Sequence, residues 1–220
     1  TLLLETSESA HLDAEVLLCH VLHKPRSHLR AWPEKELQTQ QTNQFKALLL
    51  KRQQGQPIAY IIGHKEFWSR DFEVSTDVLI PRPDTELLIE LSLKLLANKT
   101  KARIVDLGTG SGAIAITLAA ERPDIEVIAT DLSDKALAIA QRNAKTQQIN
   151  NIQFIHSNWF EKVATTKFDL IISNPPYVDC NDPHLSQGDV RFEPNSALIA
   201  EEHGLKDINT ICNHARNYLK

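Results

Sequence analysis

Apolar residues change their rhythm twice along the chain. Between residues 8 and 55, Leu12, Leu17, Leu18, Val21 and Leu22 recur at helical spacing. Pro33 sits where a second helix could begin, and Leu37, Phe45, Leu48 and Leu49 continue a helical face to a stop at Gly55. The Gln-rich stretches 38–44 and 53–56 read as the solvated side of these helices. From 56 to 80 the pattern shortens. Ile58, Tyr60 and Ile62, then Phe67-Trp68 and Phe72 to Val74, predict short strands and a hairpin that links two domains. Pro81 and Pro83 block a helix until Asp84, which predicts a capped helix running to about Ala97.

Beyond residue 102, strand and helix patterns alternate. Strands are predicted over Arg103–Leu107, Glu126–Thr130, Ile152–Ile155 and Phe168–Ser173. Helices are predicted over Gly112–Ala120, Asp134–Thr146 and Leu205–Leu219. Such alternation predicts an α/β fold, a doubly wound, mostly parallel sheet with helices on both faces. The expected organisation is a helical domain over 1–55, a hairpin linker over 56–80 and an α/β domain over 81–220. Four strands are few for such a sheet, so further strands are expected beyond the last helix. The lack of any Met suggests that the start has been trimmed as well.

Composition narrows the function classes. The chain has 220 residues, 42% hydrophobic and 24% charged, as in ordinary globular proteins. Its 24 Lys and Arg against 28 Asp and Glu give a net charge of −4, no footprint for a long nucleic-acid duplex. Cys19, Cys180 and Cys212 are scattered, so neither a zinc site nor a disulfide framework is predicted. The nine histidines lack metal-ligand spacing, and His20 and His23 read as surface or core residues. No apolar run is long enough to span a bilayer, and the opening Thr1-Leu2-Leu3-Leu4 lacks the features of a signal peptide. A reducing, cytoplasmic compartment fits the cysteines best, no metal and no membrane contact are expected, and a monomer is a separate expectation that composition does not decide.

Two motifs carry chemistry. Gly108-Thr109-Gly110-Ser111-Gly112 follows the first strand of the α/β unit and opens its helix. Glycines there permit a tight turn and close backbone approach, and the helix start offers free N–H groups. Asp131 ends the next strand, 23 residues after Gly108, where an acidic residue can bind ribose hydroxyls. Together they imply a nucleoside-bearing cofactor: NAD, FAD or S-adenosylmethionine. The second motif, Asn174-Pro175-Pro176-Tyr177, leaves the carboxyl end of the fourth strand. Prolines hold it extended and donate no N–H, which leaves the Asn174 side-chain oxygen and the Pro175 carbonyl as acceptors beside the Tyr177 ring. Two acceptors can grip both hydrogens of a flat NH2 group and orient its weakly nucleophilic nitrogen for methyl transfer. Asn174, Pro175 and Tyr177 are therefore the candidate catalytic residues.

These stretches, with Pro81-Arg82-Pro83-Asp84-Thr85-Glu86, resemble the HemK/PrmC family of release-factor glutamine methyltransferases. The likeness runs from about residue 12 to residue 219 and includes Asp13-Ala14-Glu15, Ser157 to Phe160 and Gly188 to Pro194. It implies a Rossmann-like class I methyltransferase sheet behind a small helical substrate-recognition domain. It also implies S-adenosylmethionine as cofactor and, as target, N5 of the glutamine in the Gly-Gly-Gln motif of class 1 peptide-chain release factors. By position, Gly108 to Gly112 and Asp131 would hold the cofactor, Trp159 would flank its adenine, and Asn174 would touch cofactor and substrate. Pro175, Pro176 and Tyr177 would complete the glutamine site. Where the family often has Asp, this chain has Asn158. Trp32 and Trp68 are expected to be packing residues rather than ligands, and Glu193 to be either near the pocket mouth or, as the first choice, an ordinary surface glutamate.

Three rivals remain. An adenine-N6 methyltransferase of DNA or RNA handles a similar NH2 group, but phosphate contacts need Lys and Arg, which this acidic chain does not have in excess. A non-catalytic nucleotide-cofactor binding module would keep the fold without chemistry, and a nicotinamide oxidoreductase would bind NAD instead.

Overall fold

A computed structural model describes residues 9–164 and 167–220. The opening run Thr1 to Leu4 lies outside the described residues. The chain divides into two compact units, Thr1–Gly63 with Ser186–Phe192, and His64–Leu185 with Glu193–Lys220.

The first unit is helical: α1 (Ala10–Leu22), α2 (Arg26–Ala31), α3 (Thr39–Gln53) and α4 (Ile58–Ile62). Leu17 is fully buried, and α1 and α3 pack on each other. The unit is tied by a charged centre. Arg52 donates through Nε to Asp13 (2.7 Å) and through Nη1 to Asp189 (2.8 Å). Arg52 and Asp13 are nearly buried, so removing one partner would strand the other charge.

Three expectations need correction here. Ile58, Tyr60 and Ile62 lie in a helix, not a strand. Pro57 precedes its first turn with φ fixed near a helical value, and Gly63 closes it at φ +81°. Five residues with apolar ends and middle satisfy either period, and the flanking Pro and Gly decide. Pro33 begins no helix, and Leu37 precedes α3, whose start is set by Gln38 and Gln41 in a reciprocal capping pair. Trp32, expected as a packing residue, is 54% exposed and lies against the His28 ring (4.7 Å between centroids), a surface contact rather than a core one.

The second unit opens with the hairpin β1 (His64–Phe67) and β2 (Arg70–Glu73), paired antiparallel. A 3₁₀ turn over Pro83–Thr85 leads into α5 (Glu86–Leu96), so the helix starts later than Asp84. Next come β3 (Arg103–Leu107), α6 (Ala113–Glu121), β4 (Glu126–Asp131), α7 (Asp134–Thr146), β5 (Ile152–His156) and β6 (Leu170–Ser173). α8 (Asn195–Leu198) and α9 (Lys206–Ala215) follow. All four strands of the main sheet run parallel in the order β5-β4-β3-β6. The final helix is shorter than predicted, and Phe168 stands just outside β6, bridged to Leu219.

Alternate residues of β3 face opposite layers, as strand geometry requires. Ile104 packs with Ile89, Ile116 and Leu118 of α5 and α6. Val105 and Leu107 pack with Phe168 and with Ile211 of α9. The sheet is therefore covered on both faces, as the alternating pattern predicted. Trp68 packs against the first of these layers.

Candidate active site

Strand register places the site. Leu107 of β3 pairs with Thr130 of β4 on one side and with Ser173 of β6 on the other. The next residues, Gly108, Asp131 and Asn174, therefore stand side by side at the sheet's carboxyl edge, Asp131 as the last residue of β4. The strand order turns back at β3, between β4 and β6, and parallel sheets open a crevice at such a point. A cleft of about 300 Å³ lies there, within the size range of small-molecule sites.

The glycine turn forms one wall. Gly108, Thr109, Gly110 and Ser111 line the cleft, and Gly112 lies behind them as the N-cap of α6. Gly112 holds φ +84°, and a Cβ there would come within 2.6 Å of Ile116 Cδ1 and 3.1 Å of Ala140. Its role is to let the turn pack on α6 and α7. Gly108 sits 3.2 Å, measured from an added Cβ, from the Trp159 ring. Trp159 itself takes a left-handed φ of +47°. The buried Ser157 supports this corner by donating to the Trp159 carbonyl and accepting from the Lys162 N–H (3.0 Å).

Two carboxylates stand beneath the turn. Asp131 lines the cleft and accepts from Gly110 N–H (2.8 Å) and Ser133 N–H (2.9 Å). Those donors favour its charge, but burial is the larger effect and raises its pKa. Ser133 caps α7, its hydroxyl accepting from Ala136 N–H. Asp106 is fully buried and accepts from the Thr109 hydroxyl at 2.6 Å. Burial pushes its pKa up to about 7, with a further push from Asp131 and opposition from Thr109.

This shift has a pH consequence. The folded state holds the Asp106 proton up to about 7, whereas the ordinary value is 3.8. Between those values the folded chain binds more protons than the unfolded one, so raising the pH through this window lowers stability. Above about 7 the loss is complete, on the order of a few kcal/mol. Asp106→Asn should flatten the profile: urea unfolding at about pH 5 and about pH 8 should differ less than in the parent. An equal fall in both proteins would contradict the assignment.

The opposite wall comes from β6 and the loop before α5. Asn174 and Pro176 line the cleft, together with Pro81, Arg82 and Thr85. The Asn174 side chain makes no hydrogen bond among the described residues, so its amide is available to a ligand. Pro175 and Tyr177 do not line the cleft, and Tyr177 is 63% exposed. The loop beyond is clamped: Tyr177 and Val178 N–H both donate to the Leu198 carbonyl (3.2 and 2.9 Å).

Sequence reading missed several supports. The buried Asn143 accepts from Glu73 N–H (2.7 Å) and donates to the Ser111 carbonyl (2.9 Å), joining hairpin to glycine turn. Glu193 is the larger correction. It is not on the surface: its side chain is fully buried, accepts from Ile80 N–H (3.1 Å) and pairs with Arg82. Its partners lie 111 and 113 residues away, beyond any local pattern. Asn158 lines the cleft and donates to Glu161 (2.8 Å). Among the described residues no group of His, Cys, Asp and Glu is placed to hold a metal, and no helix is long and apolar enough to cross a membrane.

A parallel sheet with a glycine turn, an acidic strand end and an acceptor loop around one crevice defines a Rossmann-like methyltransferase. The methyltransferase small domain family matches residues 84–189, and the PrmC N-terminal domain matches residues 1–63. A release factor glutamine methyltransferase of Aliivibrio fischeri is 53% identical over 220 residues, all of this chain and 77% of its own length. That of Escherichia coli K12 is 50% identical, covering 98% of this chain and 78% of its own. The hMettl16 catalytic domain, solved with an RNA hairpin of the MAT2A 3'UTR, is 15% identical. It superposes on 80% of this chain and 62% of its own with a TM-score of 0.54, a likeness of fold alone. The chain belongs to the release factor glutamine methyltransferase family.

Proposed function

We propose that the protein transfers a methyl group from S-adenosylmethionine to N5 of the glutamine in the Gly-Gly-Gln motif of class 1 peptide-chain release factors. The observation that carries this is the meeting of the Gly108–Ser111 turn, Asp131 and Asn174 in one cleft, in a chain of this family. Such a substrate places the reaction in the cytoplasm.

The residues fit the cofactor. Gly108 leaves space beside the Trp159 ring that a side chain would fill, which suits a flat base. Asp131 keeps its carboxylate at the cleft surface while its backbone donors fix it, which suits ribose hydroxyls. When bound, S-adenosylmethionine supplies an electrophilic sulfonium methyl. Asn174 Oδ1 and the Pro175 carbonyl accept the two amide hydrogens and fix the direction of the nitrogen lone pair. They also favour the positive charge that develops there. Pro176 keeps the loop stiff, and the exposed Tyr177 ring stacks on the glutamine amide. No strong base is required, because the nitrogen becomes acidic once methylated and then releases its proton.

Calorimetric titration with S-adenosylmethionine and with NAD tests the cofactor. Binding of NAD alone would support the oxidoreductase instead. Labelled cofactor offered to a release factor and to nucleic acid tests the substrate class, and label in nucleic acid alone would favour the adenine reading.

The helical unit supplies the surface for the protein partner in this account, and the exposed Trp32 is the natural anchor, since partner-facing Trp residues dominate binding energies. Trp32→Ala should weaken release-factor binding roughly tenfold or more while leaving cofactor affinity unchanged. Equal partner affinity in calorimetry would remove Trp32 from the interface.

A further inference from the structure

The chain makes a long excursion from the acceptor loop and returns to it. Val178 and Asn195 are joined by a stretch whose regular structure is two short 3₁₀ turns, Pro183–Ser186 and Val190–Phe192. Ordered connections of this length are uncommon in compact domains and carry function where they occur. The two feet of the excursion are pinned together. Tyr177 and Val178 N–H both donate to the Leu198 carbonyl, Ala200 N–H donates to the Val178 carbonyl (3.0 Å), and Val178 bridges Ile199. A pull on the far end therefore acts on the backbone that follows Asn174.

That far end, Ser186–Phe192, belongs to the helical unit and is fastened there. Asp189 accepts from Nη1 of Arg52, in the last turn of α3 (2.8 Å). Arg191 Nη2 donates to the Gln54 carbonyl (3.1 Å), in space that Gly55 leaves open: an added Cβ there would clash with the Arg191 guanidinium. The same guanidinium lies over the Phe192 ring (4.9 Å to the centroid). Arg52 is largely buried, so its attraction to Asp189 is weakly screened. Arg52 also keeps a second carboxylate, Asp13 (2.7 Å), so loss of Asp189 loosens the strap without leaving the buried cation unpaired.

We propose that Ser186–Phe192 is a strap through which the helical unit sets the acceptor loop, and that Asp189 is the positioning residue at its tip. A protein docked on the helical unit would thereby act on the loop that grips its amide. What docks there rests on the release-factor reading above; the strap itself does not. The alternative is a brace: the segment only completes the helical unit, and its loss is felt in that unit alone.

Hydrogen exchange on the full chain, followed at the Tyr177 and Val178 amides, reads the strap without any substrate. In Asp189→Ala both amides should exchange about tenfold faster, the scale of one charge-assisted hydrogen bond, while the amides of β3 keep the parent rate. Asp189→Asn, which keeps an acceptor for Arg52, should lose less, and Arg191→Ala should repeat the pattern from the neighbouring anchor. With a release factor as substrate, Asp189→Ala should lower kcat about tenfold and leave KM and the affinity for S-adenosylmethionine unchanged. Faster exchange confined to α1 and α3 means a brace and overturns the strap. Faster exchange at Tyr177 with parental kcat overturns the positioning role of Asp189. A parent protein that methylates no release factor overturns the substrate reading, and exchange at Tyr177 and Val178 still decides the strap.

Discussion

Asn174→Ala should lower kcat about 10²- to 10³-fold, the loss typical of removing one hydrogen-bonding group aimed at developing charge. Asn174 lines the cleft, is half-buried, and makes no side-chain hydrogen bond within the described protein. Its removal therefore strands no buried partner, and the melting temperature should barely move. The deficit belongs to the reaction: the amide loses one of two acceptors, turns more freely, and gains less from the loop as charge develops. Cofactor affinity should fall by much less than kcat, because Asp131 and the glycine turn remain. Single-turnover kinetics beside cofactor titration measures both. Unchanged turnover would show that Asn174 is a bystander.

Gly204→Ala should disable the same loop from behind. Gly204 is buried at φ +86°, and an added Cβ would lie 2.2 Å from the Tyr177 carbonyl oxygen and 2.8 Å from its carbon. Both are backbone atoms, so no flexible side chain can yield. The left-handed conformation alone costs a non-glycine residue about 1–2 kcal/mol. Moving the backbone instead shifts Tyr177 and strains the Val178–Ile199 bridge. Misplacement of the acceptor loop by an ångström can cost roughly 10² in rate. We expect kcat to fall by about that factor and thermal stability to drop by about 2 kcal/mol or more. Wild-type turnover with only a lower melting temperature would mean that the position of Tyr177 does not matter to the reaction.

Gly204 also shows where sequence reading stops. Nothing local in Glu201-Glu202-His203-Gly204 says that this glycine faces Tyr177. The strands β3 and β4 and the helix α7 were legible because each carries its own signal: apolar runs bounded by Gly108 and Asp131, and Ser133 capping an amphipathic helix. The glycine turn and the Asn174 loop were legible as motifs, and the register Leu107–Thr130 and Leu107–Ser173 explains why they meet. Glu193 was not legible. Its surroundings suggest a surface glutamate, and its burial exists only because Ile80 and Arg82 arrive from far along the chain. Asn143 is similar, a polar residue on a helix whose partners are the backbone of Glu73 and Ser111. Ile58–Ile62 failed for the opposite reason: five residues are too few for a period, and the closing Gly63 was the better guide.

At the centre of this account, the Asn174–Tyr177 loop grips a protein glutamine amide. The most direct measurement uses labelled S-adenosylmethionine with two release factors, one unaltered and one whose Gly-Gly-Gln glutamine is replaced by alanine. Peptide mass spectrometry then locates any methyl group. The account predicts methylation at N5 of that glutamine in the first and none in the second. Equal methylation of both, or a methyl group on any other residue, would contradict it.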